Sequence, residues 1–538
     1  MKNNKGFTLI ELIATIVIIS LIFLVVFPSV YKLMRDNDKK EYDNYYNMAK
    51  EAAYVYADTQ KDKLGGSLGT GCIGGEDDEI TIQDLIDLGF LKPFNKEDVN
   101  YSGNVVIRNN YGKITINLYM DINNNTFGKK DTSECLAYTP KSDNTLTEAL
   151  LNNSALKGEF DENQYIVGEN PNNYVWYSGK LWRAIQIDNE SQDVKLVTAD
   201  VISVIPFDED SNIFKGSYVE KWLNNYFLET LYNPTKYIST HRWNYASNMY
   251  SSKKVGLVSY SDLNAIKIDS NTSYLNGEQY HWTLTKATDG NVKLVELNGL
   301  ASDNSVDDPC GIRPAIYIKS GIKVYGGSGT KSAPYQLEGY RIQDQKEKAL
   351  NTRYSGEFVK IDEILYRIVN IDNNKTKLVS VNTITLDNMT EEDIKTNTTM
   401  GNKIYTLSNI YKYLNNTWYN ALPSAIKKNI VIGDWCLTDS ITALDLNECG
   451  TNNKDVKSFK IGLPKYGEIF SSYIGTDDNS FWTLTPSTDG VKMLTIAPDA
   501  FVNDYDINYS DNIRVSFYLD SSVTIKSGYG TESNPFIL

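Results

Sequence analysis

Met1-Lys-Asn-Asn-Lys5-Gly6-Phe7-Thr8-Leu9-Ile10-Glu11-Leu12 opens the chain, and an apolar run continues from it to Phe27, just before Pro28. From Phe7 to Phe27 the run has 21 residues. At ~1.5 Å rise per residue, a helix of that length crosses ~30 Å of hydrocarbon. Thr8, Thr15 and Ser20 are tolerated there, because a hydroxyl bonds back to the helix's own carbonyls. Glu11 does not suit a plain anchor. An ionisable group at membrane depth costs on the order of 2.5–3.5 kcal/mol and marks a function. A secretory signal peptide would lack that carboxylate and would end in a small-x-small site, and no good site of that kind precedes Lys32. Pro28 removes a backbone donor and bends the helix where it leaves the bilayer.

The segment Lys5-Gly6-Phe7-Thr8-Leu9-Ile10-Glu11-Leu12 resembles the leader junction of type IV pilins and of the pseudopilins of type II secretion and competence systems. The resemblance covers the N-terminal quarter of the chain. It implies a leader, residues 1–6, removed after Gly6 by a membrane prepilin peptidase, and N-methylation of the new terminal Phe7. Glu11 falls on the glutamate that the family keeps charged at the fifth mature position, and Pro28 where many such pilins carry a kinking proline. The partners implied are other pilin subunits, the peptidase and the membrane, crossed once before assembly. In a filament, Glu11 of one subunit would pair with the Phe7 amine of its neighbour. Such a pair adds little net stability, but leaving either charge unpaired is costly, which favours one register. Lys32, Arg35, Lys39 and Lys40 outnumber Lys2 and Lys5, so a positive-inside count opposes this orientation. The leader junction decides it, because the family's peptidase requires the leader on the cytoplasmic side.

Beyond Pro28, the residues Tyr42, Tyr45, Tyr46, Ala49, Ala52, Ala53 and Tyr56 continue a helical stripe. The expectation is one helix over 7–60 on a small antiparallel sheet domain at 61–145. Within it, Thr81 reads as the N-cap of a short helix ending at Gly89. Val105-Val-Ile and Lys113-Ile-Thr-Ile-Asn-Leu-Tyr read as strands around a turn at Asn109-Asn-Tyr-Gly. Asp121, Asn123 and Asn125 space oxygens like the start of a calcium loop, without its sixth-position glycine or closing glutamate. They are weak calcium candidates beside an Asn-rich turn, and no cofactor is expected. Cys72 and Cys135 are disulfide candidates that would staple this domain. Cys436 and Cys449 are a second candidate pair, and Cys310 is left over. Neither pair has zinc-ligand spacing.

The remainder contains matched segments in the same order. His281-Trp-Thr-Leu-Thr matches Phe481-Trp-Thr-Leu-Thr, and Ile312-Arg-Pro-Ala-Ile-Tyr-Ile matches Ile513-Arg-Val-Ser-Phe-Tyr-Leu. Gly329-Thr-Lys-Ser-Ala-Pro-Tyr matches Gly530-Thr-Glu-Ser-Asn-Pro-Phe. Leu181-Trp-Arg-Ala-Ile matches Leu365-Tyr-Arg-Ile-Val, and Val255-Gly-Leu matches Ile461-Gly-Leu. These place two related modules at 172–338 and 353–538, with linkers at 146–171 and 339–352. Each is expected to be α+β and mainly antiparallel, with one amphipathic helix: Tyr218, Trp222, Leu223 and Tyr226 in the first, Leu407, Ile410, Tyr411 and Leu414 in the second. The modules resemble uncharacterised domains of Gram-positive surface proteins, and the Trp-Thr-Leu-Thr and Arg-Pro-Ala-Ile-Tyr-Ile segments resemble C-type-lectin-like folds.

The chain has 538 residues, 41% hydrophobic and 22% charged, so three or four folded domains are expected and a disordered or fibrous chain is excluded. Its net charge of −15 opposes direct nucleic-acid binding. His241 and His281 are the only histidines, so a His-rich metal site is excluded. Phe481 replaces His281 at the matched position, which points to packing there. Arg183/Arg367 and Arg313/Arg514 recur in both modules and read as framework arginines or as a ligand site. Trp222 and Trp243 are candidates for sugar-stacking platforms, while Trp282 and Trp482 read as core. No phosphate loop or nucleophile elbow is present, and no enzyme is expected. The reading that fits best is a minor type IV pilin, in the membrane before assembly and in an extracellular pilus afterwards, whose modules meet a glycan or host surface. The alternatives are a pseudopilin of a secretion or competence system, and a membrane-tethered surface enzyme acting on glycans.

Overall fold

In a computed structural model of the chain, residues 39–59 form a helix. It buries Tyr42, Tyr45, Ala49, Ala52, Ala53 and Ala57 on one face. The structure describes residues 39–60, 64, 70–74, 79–95, 99–110, 113–131, 144–269, 272–277, 279–343, 345–372, 374–384, 391–437, 456–465, 467–468, 479–487 and 491–538. Gly6, Phe7, Glu11, Pro28 and the expected apolar span therefore lie outside the described residues. Among those described, no helix is long and apolar enough to cross a membrane. The architecture is mixed α+β with mostly antiparallel sheets. The described residues fall into two compact units, the first drawn from 1–66 and 71–138, the second from 67–70 and 139–538.

In the first unit the alanine stripe lets the helix approach closely a sheet ordered Thr70–Ile73, Tyr101–Asn110, Lys113–Ile122 and Asn125–Phe127. The central hairpin runs from Tyr101 opposite Ile122 to Asn110 opposite Lys113. Strand alternation sends Val105, Ile107, Ile116, Leu118, Met120 and Ile122 into the core. Buried Tyr45 and half-buried Tyr46 donate their hydroxyls to the carbonyls of Lys92 and Leu118, so their rings keep their polar tips satisfied. Thr81 caps the helix Ile82–Asp87 in a reciprocal box with Asp84, and Gly89 adopts the positive φ of +80° that ends it.

In the second unit one seven-stranded sheet has the order Val255–Leu257, Pro314–Ile318, Val194–Thr198, Lys180–Ile187, Tyr174–Tyr177, Tyr335–Leu337, Val324–Gly326. Another runs Ile430–Val431, Ser516–Leu519, Lys375–Ser380, Ile364–Asp372, Phe358–Ile361, Phe536–Ile537, with Ile461–Gly462 also on Ser516–Leu519. In each, the strand after the Gly-Thr-x-Ser-x-Pro turn is a parallel neighbour: Tyr335–Leu337 of Tyr174–Tyr177, and Phe536–Ile537 of Phe358–Ile361. The Trp-Thr-Leu-Thr strands lie in separate sheets, beside Val292–Val295 and Met493–Ile496.

Each expected amphipathic helix is broken by a π turn, at Trp222–Tyr226 and Tyr413–Trp418. The turn aims one asparagine at an edge strand. Asn224 donates to Val255 O at 3.0 Å and accepts from Val255 N at 3.2 Å. Asn415 makes the same two bonds to Ile461, at 2.9 and 3.0 Å.

Both expected linkers are integral structure. Residues 146–171 contribute the helix Leu146–Leu151 and the pair Glu159–Phe160 with Ile166–Val167, burying Leu146, Leu150, Leu156 and Ile166. Residues 339–352 bury Tyr340, Ile342, Gln345 and Leu350, and Tyr340 packs edge-on against Tyr177 and Tyr354. Charged residues dominate that stretch in sequence, but its apolar side chains all find cover. The two modules also meet at Lys180, whose Nζ donates to Ser178 O, Ser355 O and Ser355 Oγ at 3.0, 2.9 and 2.9 Å.

Candidate functional site

Arg183 occupies the middle of strand Lys180–Ile187, opposite Tyr174 on one side and Val197 on the other. Its guanidinium lies 3.9 Å from the Tyr174 ring centroid and 4.7 Å from that of Tyr274. It donates to Asn170 Oδ1 and Pro171 O, both at 3.2 Å, while its buried Nε has no hydrogen-bond partner. Arg313, between strands Pro309–Ile312 and Pro314–Ile318, is held by carbonyls. It donates to Thr198 O at 3.0 and 2.8 Å, and to Ala199 O and Leu275 O at 2.8 Å each. Burial holds the Arg183 pKa below its ordinary value and pushes that of Arg313 down to about 10, and the nearby Asp200 carboxylate offsets this only in part.

These two arginines share one cleft with Tyr174, Asp200, Tyr274, Gln279 and Lys331. Its volume is about 160 Å³. Gln279 accepts from Val201 N at 3.1 Å, but its buried Nε2 has no partner. Among the described lining residues, three cations (Arg183, Arg313, Lys331) face one carboxylate (Asp200) in a chain of net charge −15.

The second module brings Arg367 and Arg514 together in a small pocket lined also by Val379, Pro464 and Phe481. Phe358 and Phe481 lie 3.9 and 4.3 Å from the two guanidinium groups, and the cavity is only about 10 Å³. Burial pushes the Arg367 pKa down to about 10, against the opposing charge of Glu532. Glu532 stands where the first module has Lys331.

Trp222 and Trp243 are buried, at 0% and 2% exposure, so neither offers a ring face to a sugar. Trp222 stacks on Phe227, and Trp243 donates to Lys253 O and lies flat on Gly256, where an added Cβ would fall 2.2 Å from the ring. The helix and strand that carry them turn both rings inward, which is why neither forms a sugar-stacking platform. Trp282 and Trp482 are fully buried, bonded to Ile205 O and Thr398 O.

His241 Nε2 lies 3.0 Å from Asp193 Oδ2, and Ser239 Oγ donates to that same oxygen rather than to the imidazole. No serine-to-histidine relay is formed by this group. His281 is buried beside Arg313, which with burial brings its pKa down to about 3. Asp121, Asn123 and Asn125 form a hairpin turn: Asp121 accepts from Asn124 N and Thr126 Oγ1, and Asn123 from Asn100 N. Among the described residues, no group of three or more His, Cys, Asp or Glu side chains is placed to hold a metal ion. Cys72 and Cys436 are disulfide-bonded, and Cys135 and Cys449 lie outside the described residues. Cys310 is a buried free thiol.

Residues 1–27 match the family model of the prokaryotic N-terminal methylation motif. This is the prepilin-type cleavage and methylation signature, and it supports a type IV pilin-like or pseudopilin protein, with other pilins and a prepilin peptidase as general partners and membrane anchoring before assembly. No curated protein and no solved structure matches the chain significantly.

Proposed function

We propose, from the prepilin-type motif at residues 1–27, that the protein is a minor type IV pilin subunit carrying two distal modules for surface contact. That motif is the single observation on which the reading rests. A helix packed on a small antiparallel sheet in the first unit supports it, because an assembling subunit needs a rigid body behind its anchoring helix. The second unit spans about 400 residues, too bulky to tile densely along a thin shaft, so a tip position or low occupancy suits it best. Contact with a glycan or host surface, and the C-type-lectin-like reading of the modules, belong to this proposal. The latter is supported by the matched Trp-Thr-Leu-Thr and Arg-containing segments. An enzyme is not proposed.

Mass spectrometry of the mature N-terminus, combined with immunogold labelling of cells, tests the reading. The expected terminus is N-methylated Phe7, with gold at filament ends or sparsely along them. Label confined to the envelope would favour a secretion or competence pseudopilin, and an intact Met1 would overturn both.

A further inference from the structure

We propose that the arginine-lined cleft of the first module binds a small hydroxylated carboxylate, a sugar acid of the hexuronate class. The assignment deepens the surface-contact reading, and rests on it only for where such a ligand would be met. Three observations carry it. The cleft has room: about 160 Å³, at ~30 Å³ per water, is the space of about five waters, enough for one ring. Two of its lining residues carry unused donors, because Arg183 Nε and Gln279 Nε2 are buried without partners. Leaving such groups unmatched costs stability, which a ligand acceptor would restore. Its charge is biased, with three lining cations against Asp200.

The class of anion follows from the same residues. A guanidinium donor and an amide N–H lining one cleft suit a planar carboxylate. The Asp200 carboxylate on the wall accepts hydroxyl hydrogens and repels a dianion more strongly than a monoanion, which disfavours phosphate. Arg183 already covers one face of Tyr174 and one of Tyr274, which leaves an aromatic ligand less room to stack there. The second module carries Glu532 where Lys331 stands in the first, so the same turn brings an acid in place of a cation.

Isothermal titration of the full chain in detergent with galacturonate, galactose and inorganic phosphate tests this. Galacturonate should bind at one site per chain, and galactose at least tenfold more weakly. Lys331→Glu, which installs the acid of the second module at an exposed position, should weaken galacturonate at least tenfold with an unchanged unfolding temperature. Glu532→Lys should leave the stoichiometry at one. Absence of galacturonate binding, equal binding of galactose, or an unaffected Lys331→Glu variant would overturn the site. Tighter binding of phosphate would overturn its carboxylate class. Galacturonate binding by a chain that never enters filaments would remove the pilus reading and keep the site. Filament incorporation without binding would do the reverse.

Discussion

Lys195 Nζ lies 2.7 Å from both carboxylate oxygens of Asp262, and both side chains are buried. The ammonium also sits 5.4 and 5.5 Å from the ring centroids of Trp243 and Tyr317. Asp262 is completed by Tyr165 Oη, Ser259 N and Ser259 Oγ, at 2.7, 2.7 and 2.8 Å. The second module repeats the arrangement with Lys377, Glu468, Trp435 and Tyr518. Each pair ties a central strand to the loop or short helix following the outermost Gly-Leu segment. A buried ion pair of this kind is weak evidence for added stability, but it penalises any packing that separates its members.

Removing one member should therefore cost more than removing both. Asp262→Asn is expected to destabilise the second unit by about 3–5 kcal/mol, and Lys195→Met with Asp262→Leu by much less. Denaturant unfolding followed by tryptophan fluorescence checks this. Burial alone would raise the Asp262 pKa, but Lys195 and the surrounding donors outweigh it and hold it below the ordinary value. The carboxylate's contribution is thus present above about pH 4 and lost as pH falls through the lowered folded pKa.

His281→Phe should be well tolerated, since the matched strand carries Phe481 and the imidazole Nε2 has no hydrogen-bond partner. Burial first, and then the Arg313 charge, bring the His281 pKa down to about 3. The unfolded chain, with a pKa of about 6.5, binds the proton more readily. Wild-type stability should therefore fall as pH drops below about 6.5, and the variant should show a shallower slope. Melting temperatures between pH 7 and pH 4.5 measure the difference.

Gly179→Ala should loosen the joint between the modules. Gly179 has φ +71°, and an added Cβ would meet Ser355 O at 2.8 Å. The left-handed conformation alone costs a non-glycine residue about 1–2 kcal/mol, before any displacement of Ser355. Faster proteolysis within 339–352 is the expected readout.

Asn224→Leu and Asn415→Leu should each cost about 1–3 kcal/mol, because each leaves a buried backbone N–H and C=O of the edge strand unpaired. Faster amide exchange at Val255 and Ile461 would identify the lost bonds. Unchanged exchange would contradict the pairing.

At the N-terminus, Gly6→Val should leave the leader attached, visible as an intact Met1 peptide. Glu11→Ala should be processed yet enter filaments poorly. Wild-type incorporation of Glu11→Ala would remove its assembly role.

Local patterns made part of the fold legible. The stripe from Tyr42 to Ala53 and the Thr81 cap are written in neighbouring residues, and periodicity reports which face of one element is buried. The repeated Leu-Asn-Asn at 223–225 and 414–416 was available as a signal for the π-turn asparagines, but an amphipathic template passes over polar residues. The stretch 339–352 misled for the opposite reason: its charges are frequent, while the buried Tyr340, Ile342 and Leu350 are few.

The amino-acid sequence alone determined the processing junction, the apolar run behind it and the recurrence of strand segments, because each depends on residues close together in the chain. Only the tertiary structure decided that Arg183 borders an open polar cleft while its counterpart Arg367 faces phenylalanine, and that Lys195 answers an acid 67 residues away. Charge pairing and cavity volume are set by distances through space, which close only when distant strands come into register.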